Sequence, residues 1–215
     1  MKQAIRLVLI LFFLAPTAFA DQGELYVDVG TKPGWLWAQN PLLENGKYQS
    51  GFLEDFSVGL RYGLGDSLHV GFAVQMGSTF FDLSAKNSLV KGITGDLSSS
   101  IFSLSVPAII SYRLNSGYDW TAVIEVAFGY YGVQWNNDSL TNKNNLLFNK
   151  DDLEQPWQNG MAGSVSVLAQ WRVNDWFALE FGPSLNVAYM EASKLAFFPG
   201  LAMRSSFVFG VGGGL

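Results

Sequence analysis

The chain has 215 residues and no cysteine, carries a formal net charge of −5, and contains 15% aromatic but only 14% charged residues. The lack of cysteine excludes disulfide frameworks, thiol chemistry and thiolate metal sites. The excess of acidic residues argues against a nucleic-acid partner. A soluble domain usually carries about 25% charged residues, so this composition favours an apolar environment.

Residues 1–20 have the pattern of a cleaved secretory signal peptide. Lys2 and Arg6 give a positive start, residues 7–14 form an apolar core, and Ala18-Phe19-Ala20 is a small-residue cleavage site. The apolar core is shorter than the roughly 20 residues that a spanning helix needs. We therefore expect a mature domain of residues 21–215. Its net charge is −7, because the leader holds two of the 13 basic residues and none of the 18 acidic ones.

Eight later segments alternate apolar residues with small or polar ones. Residues 102–114 are the clearest case, since Phe102, Leu104 and Val106 alternate with Ser103 and Ser105. A period of two is typical of a β-strand with one apolar face. No stretch after the leader is apolar for the 18 residues of a spanning helix. The predicted strands cover residues 25–30, 56–64, 68–76, 102–114, 120–130, 164–173, 177–189 and 200–209.

The predicted connections alternate between short and long. Residues 65–67, 115–119 and 174–175 are short turns rich in Asn, Asp and Gly, and the last connection, residues 192–194, is also brief. The long polar connections are residues 38–50, 86–99 and 136–158. This pattern predicts an all-β fold, an eight-stranded antiparallel up-and-down transmembrane β-barrel with its apolar face outward. A soluble calycin-like barrel, with its apolar face inward around a ligand cavity, is disfavoured, because a soluble barrel should not reserve Gly, Ser and Arg for its interior while exposing Leu and Phe.

Aromatic residues cluster near both predicted ends of the barrel, where interface girdles are expected. The short-turn end carries Tyr62, Tyr112, Trp120, Trp171 and Phe177. The loop end carries Trp35, Trp37, Phe80, Trp135, Trp157, Tyr189 and Phe197.

Residues 23–215 resemble the small OmpA-, OmpX- and OmpW-type barrels of Gram-negative outer membranes. The resemblance lies in the topology and the residue pattern, including the strand-turn-strand run Gly59-Leu60-Arg61-Tyr62-Gly63-Leu64-Gly65-Asp66. The resemblance implies an outer-membrane location, contact with membrane lipid, and handling by the barrel-assembly machinery. Such proteins usually end in an aromatic residue, whereas this chain ends in Leu215. Either the last strand runs to Leu215, or it ends near Phe209 and leaves a glycine tail.

Eight charged residues are predicted to face the lumen. A barrel of eight strands is filled by its own side chains, and an unpaired charge in such a space is costly. We therefore expect one interior network, with Asp28 and Arg61 in contact and with alternating signs across the later strands. A structural plug is the favoured interpretation, and a gate of the kind proposed for OmpA-type barrels is the alternative. The network comprises Asp28, Lys32, Arg61, Arg113, Glu125, Arg172, Glu180 and Arg204.

The sequence offers little catalytic chemistry. Outer-membrane lipid A deacylases and palmitoyl transferases resemble this architecture and use a histidine near the outer leaflet. The single histidine, His69, is predicted to face the lumen at the opposite, short-turn end, out of hydrogen-bond reach of that leaflet. Omptin-like proteolysis needs a larger barrel and a His-Asp pair. Residues 136–158 are rich in Asn and acid, but their spacing matches no defined calcium loop. No catalytic residue, metal site or cofactor is predicted.

The sequence favours a non-enzymatic barrel with a structural or surface-interaction role. Residues 38–50, 86–99 and 136–158 are the loops expected to meet a surface ligand. A narrow channel for small or apolar solutes is the alternative, and a lipid-modifying enzyme is disfavoured.

Overall fold

The computed structural model describes residues 23–44, 48–65, 67–79, 83–90, 92–114, 120–142, 155–191 and 194–211. The expected signal peptide lies outside these residues, as do residues 212–215, on which the end of the last strand depends. No helix among the described residues has the length and apolar character needed to cross a bilayer. The strands are β1 (Gly23–Thr31), β2 (Gly34–Gln39), β3 (Tyr48–Gly63), β4 (Leu68–Thr79), β5 (Leu83–Val90), β6 (Ile93–Arg113), β7 (Trp120–Asn142), β8 (Gln158–Asn174), β9 (Phe177–Met190) and β10 (Lys194–Val211).

These strands form a closed antiparallel ring with eight positions. β1 and β2 share one position, because both pair with β10 on one side and with β3 on the other. β4 and β5 share another, because both pair with β6. β1 and β10 are paired at nine consecutive residues, which closes the ring. The predicted eight-stranded antiparallel barrel is confirmed.

The strands are tilted around the barrel axis. The stagger of the strands is found by stepping from each residue to its paired residue on the next strand. One circuit of the ring that begins on β7 ends on β7 ten residues away from the first residue. A stagger of this kind accompanies a tilt of about 35–45° and, for eight strands, an interior that side chains just fill. The path runs through Ala122, Ala169, Phe181, Met203, Thr31, Phe56, Met76, Leu104 and Gly132.

The two faces of the wall differ as the alternation predicts. Large apolar side chains such as Ile110 and Phe128 are exposed on the outside, whereas Ser105 and Glu125 are buried inside. The short connections lie at one end of the barrel, here called the turn end, and the opposite end is the loop end. Trp120 and Trp171 stack on the outer wall at the turn end, with ring centroids 5.6 Å apart.

Trp135 is not part of the outer girdle that the sequence predicts. Its side chain is 1% exposed and faces inward with Tyr131 and Val133. Trp35 and Trp37 are exposed at the same end. Phe80 lies outside the described residues.

The three long connections are shorter than predicted. The expected loop at residues 86–99 is wrong, because β5 and β6 form a hairpin there that turns at Gly92, whose φ is +77°. Strands β2, β3 and β7 also extend into the other two predicted loops. Residues 143–154 lie outside the described part. Alternation failed as a guide here because strands beyond the apolar band need no continuous apolar face, and their pairing continues through backbone hydrogen bonds.

Candidate functional site

The turn-end half of the lumen is organised around Arg61 of β3. Its guanidinium donates to Asp28, at 2.6 Å and 3.0 Å, and to Glu180 at 2.9 Å. All three side chains are buried. Gly71 of β4 makes the close packing possible, since a Cβ there would lie 2.7 Å from the Arg61 Cα atom and 2.0 Å from the Leu60 carbonyl oxygen.

Arg204 of β10 extends this arrangement to Glu125. Its Nε donates to Glu180 Oε2 at 2.8 Å, and an Nη atom makes a second contact with the same oxygen. Its other Nη atom lies 2.8 Å from a Glu125 carboxylate oxygen. Direct register between Arg204 and Glu180 brings these side chains together across the β9–β10 pair. Asp28, Arg61, Glu180, Arg204 and Glu125 thus form a chain of alternating charge, here called the central charge cluster.

Lys32 lies beside the central charge cluster. It lines a cavity of about 20 Å³ together with Glu125, Glu180 and Arg204. With three carboxylates and two guanidinium groups in the cluster, the Lys32 ammonium brings the formal charge to zero. Near-neutrality is what a poorly hydrated lumen requires of buried ions.

Neutral residues complete the hydrogen bonds of the cluster. Ser206 donates to Asp28 at 2.6 Å, and Gln170 donates to Glu180 at 2.5 Å. Such partners use acceptor capacity that the arginines leave, because an ionised carboxylate has about four lone-pair sites. Neither residue was predicted to belong to the interior network. Their inward parity was the available signal.

Arg113 and Arg172 lie outside the central charge cluster. Arg113 donates to the Tyr26 hydroxyl at 2.6 Å, and Arg172 donates to Glu24 at 2.7 Å. Tyr26 in turn hydrogen-bonds to Glu24, so these four residues form a separate network at the turn-end mouth.

Alternation of sign across the later strands would bring Arg172 of β8 to Glu180 of β9, but the two side chains do not meet. Register pairs Gln170 with Glu180 and leaves Arg172 opposite Ala178, nearer the mouth. The side chain of Arg172 is 33% exposed there, whereas that of Glu180 is fully buried. Arg113, by contrast, is buried.

His69 packs against other side chains in the turn-end half of the lumen. It is 3% exposed, and its ring meets Tyr26 edge-on with 5.0 Å between centroids. The guanidinium of Arg61 lies over the same Tyr26 ring at 5.2 Å. Among the described residues, no group of three or more His, Asp or Glu side chains is placed to hold a metal ion.

The loop-end half of the lumen is apolar, which the sequence analysis did not predict. This apolar plug consists of inward-facing residues above the central charge cluster, most of them in strand extensions beyond the ends of the predicted strands. Its members are Leu36, Ala38, Leu53, Ile101, Tyr131, Val133, Trp135, Ala188, Met190, Ala196 and Phe198.

A buried amide cluster lies at the loop-end side of the lumen. The Asn40 amide nitrogen donates to Gln49 at 2.7 Å, to Asn137 at 2.9 Å and to Ser99 at 3.1 Å. Asn40 directly follows β2, and its partners lie on β3, β6 and β7. This network therefore fixes the loop end laterally. The lumen is therefore filled in layers by charged, apolar and amide side chains.

A second lumen cavity, also of about 20 Å³, lies beside Asp55, Gln75 and Ser103. A cavity of that volume holds about one water molecule. Gln75 separates it from the cavity beside Lys32, because it lines both. Neither cavity is wide enough to pass a hydrated solute.

No family model and no curated protein matches the chain. Among solved structures, it is similar to Ail, the attachment invasion locus protein of Yersinia pestis, with a TM-score of 0.50 and 11% identity over 87% of this chain and 99% of that one. It is also similar to Neisserial surface protein A, with a TM-score of 0.49 and 14% identity over 86% and 97%. A third likeness is to OprG from Pseudomonas aeruginosa, with a TM-score of 0.44 and 10% identity over 90% and 97%.

At such identities the likeness shows the fold alone. The chain has the fold of the small eight-stranded barrels of bacterial outer membranes, as the resemblance in its strand pattern implies.

Removing Glu180 tests the coupling inside the central charge cluster. Glu180→Ala leaves Arg61 and Arg204 without their shared carboxylate and should cost about 3–5 kcal/mol of unfolding free energy. The further change Arg204→Ala should cost less than it does alone, with a coupling of about 0.5–3 kcal/mol. Urea unfolding in lipid vesicles measures both values.

Arg172→Ala is the matched control, since it also removes an arginine but contacts Glu24. Combined with Glu180→Ala it should add to within about 0.3–0.5 kcal/mol. Additivity in the Arg204 pair as well would contradict the cluster.

Proposed function

We propose that this protein resides in a bacterial outer membrane and serves in interactions at the cell surface, with its loop end outside the cell. The outward apolar wall supports the membrane placement, because inward polar and outward apolar rows are the pattern of a barrel in lipid. The fold likeness to outer-membrane barrels agrees with it.

The observation that best supports a surface role is the length of β6 and β7. They contain 21 and 23 residues, whereas a membrane-spanning strand needs about 9–11. About ten residues of each therefore project beyond the bilayer, which at roughly 3.3 Å per residue is about 33 Å of strand. β5 pairs with β6 along this projection and completes a three-stranded sheet.

The projecting sheet has apolar packing of its own. Leu43, Val90 and Leu97 form a buried cluster, and a β-bridge joins Leu43 to Val90. A packed projection costs less conformational entropy on binding than a flexible loop does. This favours a preformed binding platform over a loose connection.

The charge of the loop end indicates which kind of partner the protein favours. Ail has been solved with a heparin analogue, a sulfated polyanion. At the loop end of this chain, the exposed charged side chains that the structure describes are Glu44, Asp96, Glu191 and Lys86. Because acidic groups outnumber basic ones here, the platform favours a neutral or basic partner over a polyanion.

Shortening the β5–β6 hairpin tests the surface role. Replacing residues 88–95 with an Asn-Gly turn should leave the barrel folded, because the removed residues lie beyond the apolar band and Asn-Gly suits a two-residue hairpin. Attachment of bacteria producing the protein to host-cell or matrix surfaces should fall, while their low retention on immobilised heparin should not change. Equal attachment by the full-length and shortened proteins would contradict the proposal.

A second candidate function is a lateral path for apolar solutes, favoured by the seam between β2 and β10. Pro33 accepts a hydrogen bond from the Leu201 amide at 2.9 Å but cannot donate one back. By the same register, Pro199 occupies the next hydrogen-bonding position and also lacks a donor. The two strands are paired only at Trp37 with Phe197 and Gly34 with Gly200. The apolar plug lies directly inside this seam.

Introducing a backbone N–H donor at the seam distinguishes the lateral path from the surface role. If apolar solutes pass there, Pro199→Val should strengthen the seam and lower the uptake of an uncharged aromatic dye into cells producing the protein. On the surface-interaction proposal, cells with and without the protein take up the dye equally, and Pro199→Val has no effect. Dye fluorescence in whole cells measures the difference.

We further propose that the protein is not an enzyme. Burial of His69 at the turn end supports this, because the imidazole lies away from the loop-end leaflet in which a lipid A acyl group would be. Mass spectrometry of lipid A from cells with and without the protein should show the same acyl-chain number. A change that depends on His69 would overturn this assignment.

A further inference from the structure

A carboxylate lies on the outer wall of the barrel. Glu54 shares its parity along β3 with Phe56 and Val58, both of which are exposed on the outside. Between the levels of the turn-end and loop-end tryptophans, it is the only charged residue on the outward face of the described strands. Ionisable groups at such positions are rare in membrane proteins and mark functional sites.

The register places Glu54 near the loop-end edge of the apolar band. It lies eight residues above Tyr62 on β3, which on a strand tilted by about 45° is a rise of roughly 19 Å. The apolar band of such barrels is about 25 Å tall. Phe52, the next outward residue, pairs with Trp35 of the loop-end girdle. Glu54 therefore lies where acyl chains meet headgroups in the outer leaflet.

Two hydroxyl groups accompany this carboxylate. Thr31 donates to a Glu54 carboxylate oxygen at 3.2 Å. Ser78 is the register partner of Glu54 on β4 and is exposed on the same face. Since a carboxylate accepts about four hydrogen bonds, Glu54 keeps capacity for donors from outside the protein. Phe56 and Met76, one step below, offer an apolar surface to an acyl chain.

We propose that Thr31, Glu54 and Ser78 form a binding notch for an outer-leaflet lipid that presents hydroxyl, amide or ammonium N–H donors where its acyl chains begin. Glu54 accepts from those donors, and the two hydroxyl groups donate and accept beside it. Phe56 and Met76 hold the first part of an acyl chain. The proposal rests on the outer-membrane placement proposed above.

Lipid retention tests the notch. The full chain is folded into phosphatidylcholine vesicles, whose lipid has no N–H or O–H donor, with a small fraction of lipid A in one arm and of phosphatidylethanolamine in the other. After mild detergent extraction, mass spectrometry measures the added lipid that stays with the protein. Loss of one or two net hydrogen bonds should lower retention by roughly three- to tenfold in Glu54→Leu.

The variants separate the notch from general lipid contact. Thr31→Val, which keeps the side-chain shape but removes the hydroxyl, should lower retention less than Glu54→Leu does. Ser205→Val is the matched control, because Ser205 also faces outward, on β10 nearer the turn end, and retention should stay unchanged. Selective loss in the lipid A arm assigns the donors to glycolipid hydroxyl and amide groups, and loss in the other arm assigns them to an ammonium group.

Equal retention by the wild-type protein and Glu54→Leu in both arms would overturn the notch. That result leaves the membrane placement standing, because the protein must have entered the vesicles to give it. Failure of the wild-type protein to insert into any of the vesicles would instead contradict the outer-membrane placement, and the notch with it.

Discussion

The structure depends on the pairing of charges in a lumen that is only as wide as its own side chains. Eight tilted strands leave no room for bulk water beside Arg61, Glu180 and Arg204. Each ion must therefore find its counterion on another strand. The contacts from Arg61 to Asp28 and Glu180 and from Arg204 to Glu125 and Glu180 do this across five strands of the ring. A cluster that connects distant strands also fixes their relative positions.

The lumen is filled in three layers of different chemistry. The central charge cluster fills the turn-end half, the apolar plug fills the loop-end half, and the amides around Asn40 lie beyond it. The lumen cavities beside Lys32 and Asp55 each hold about one water molecule. Neither of these two cavities is wide enough to pass a hydrated solute, and the proposed functions lie on the outer surfaces. Those surfaces are the projecting sheet, the proline-interrupted seam and the wall around Glu54.

Alternation along the strands predicted the wall but not its register. Phe102, Leu104 and Val106 could be assigned to the outside because one row of a half-buried strand is apolar. Which inward residue meets which depends on pairing between strands, and that information is not local. Gln170, and not the charged Arg172 on the same face of β8, therefore lies opposite Glu180.

The apolar–polar alternation did not reveal the candidate sites, because it weakens towards the loop end. Glu54 is in phase with Phe52 and Phe56, yet the predicted strand began at Phe56 and left it in no strand. The inward position of Trp135 was missed because the loop-end half of the lumen is apolar and accepts a large ring. The hairpin of β5 and β6 was missed for a different reason. Beyond the apolar band both faces can be polar, and the sheet continues through backbone hydrogen bonds that no side-chain pattern reveals.

An arginine scan along β6 tests most directly whether the wall has one lipid-facing row and one lumen-facing row. Leu104, Val106, Ala108 and Ile110 are changed to Arg one at a time, with Ser103 and Ser105 as inward controls, and urea unfolding is measured in lipid vesicles. A barrel in lipid predicts a cost that peaks at about 2–4 kcal/mol near the bilayer midplane and falls to about 0–1 kcal/mol towards the interfaces, on the outward row alone. A flat profile along that row, or the same depth dependence at the serines, would contradict the two-faced wall.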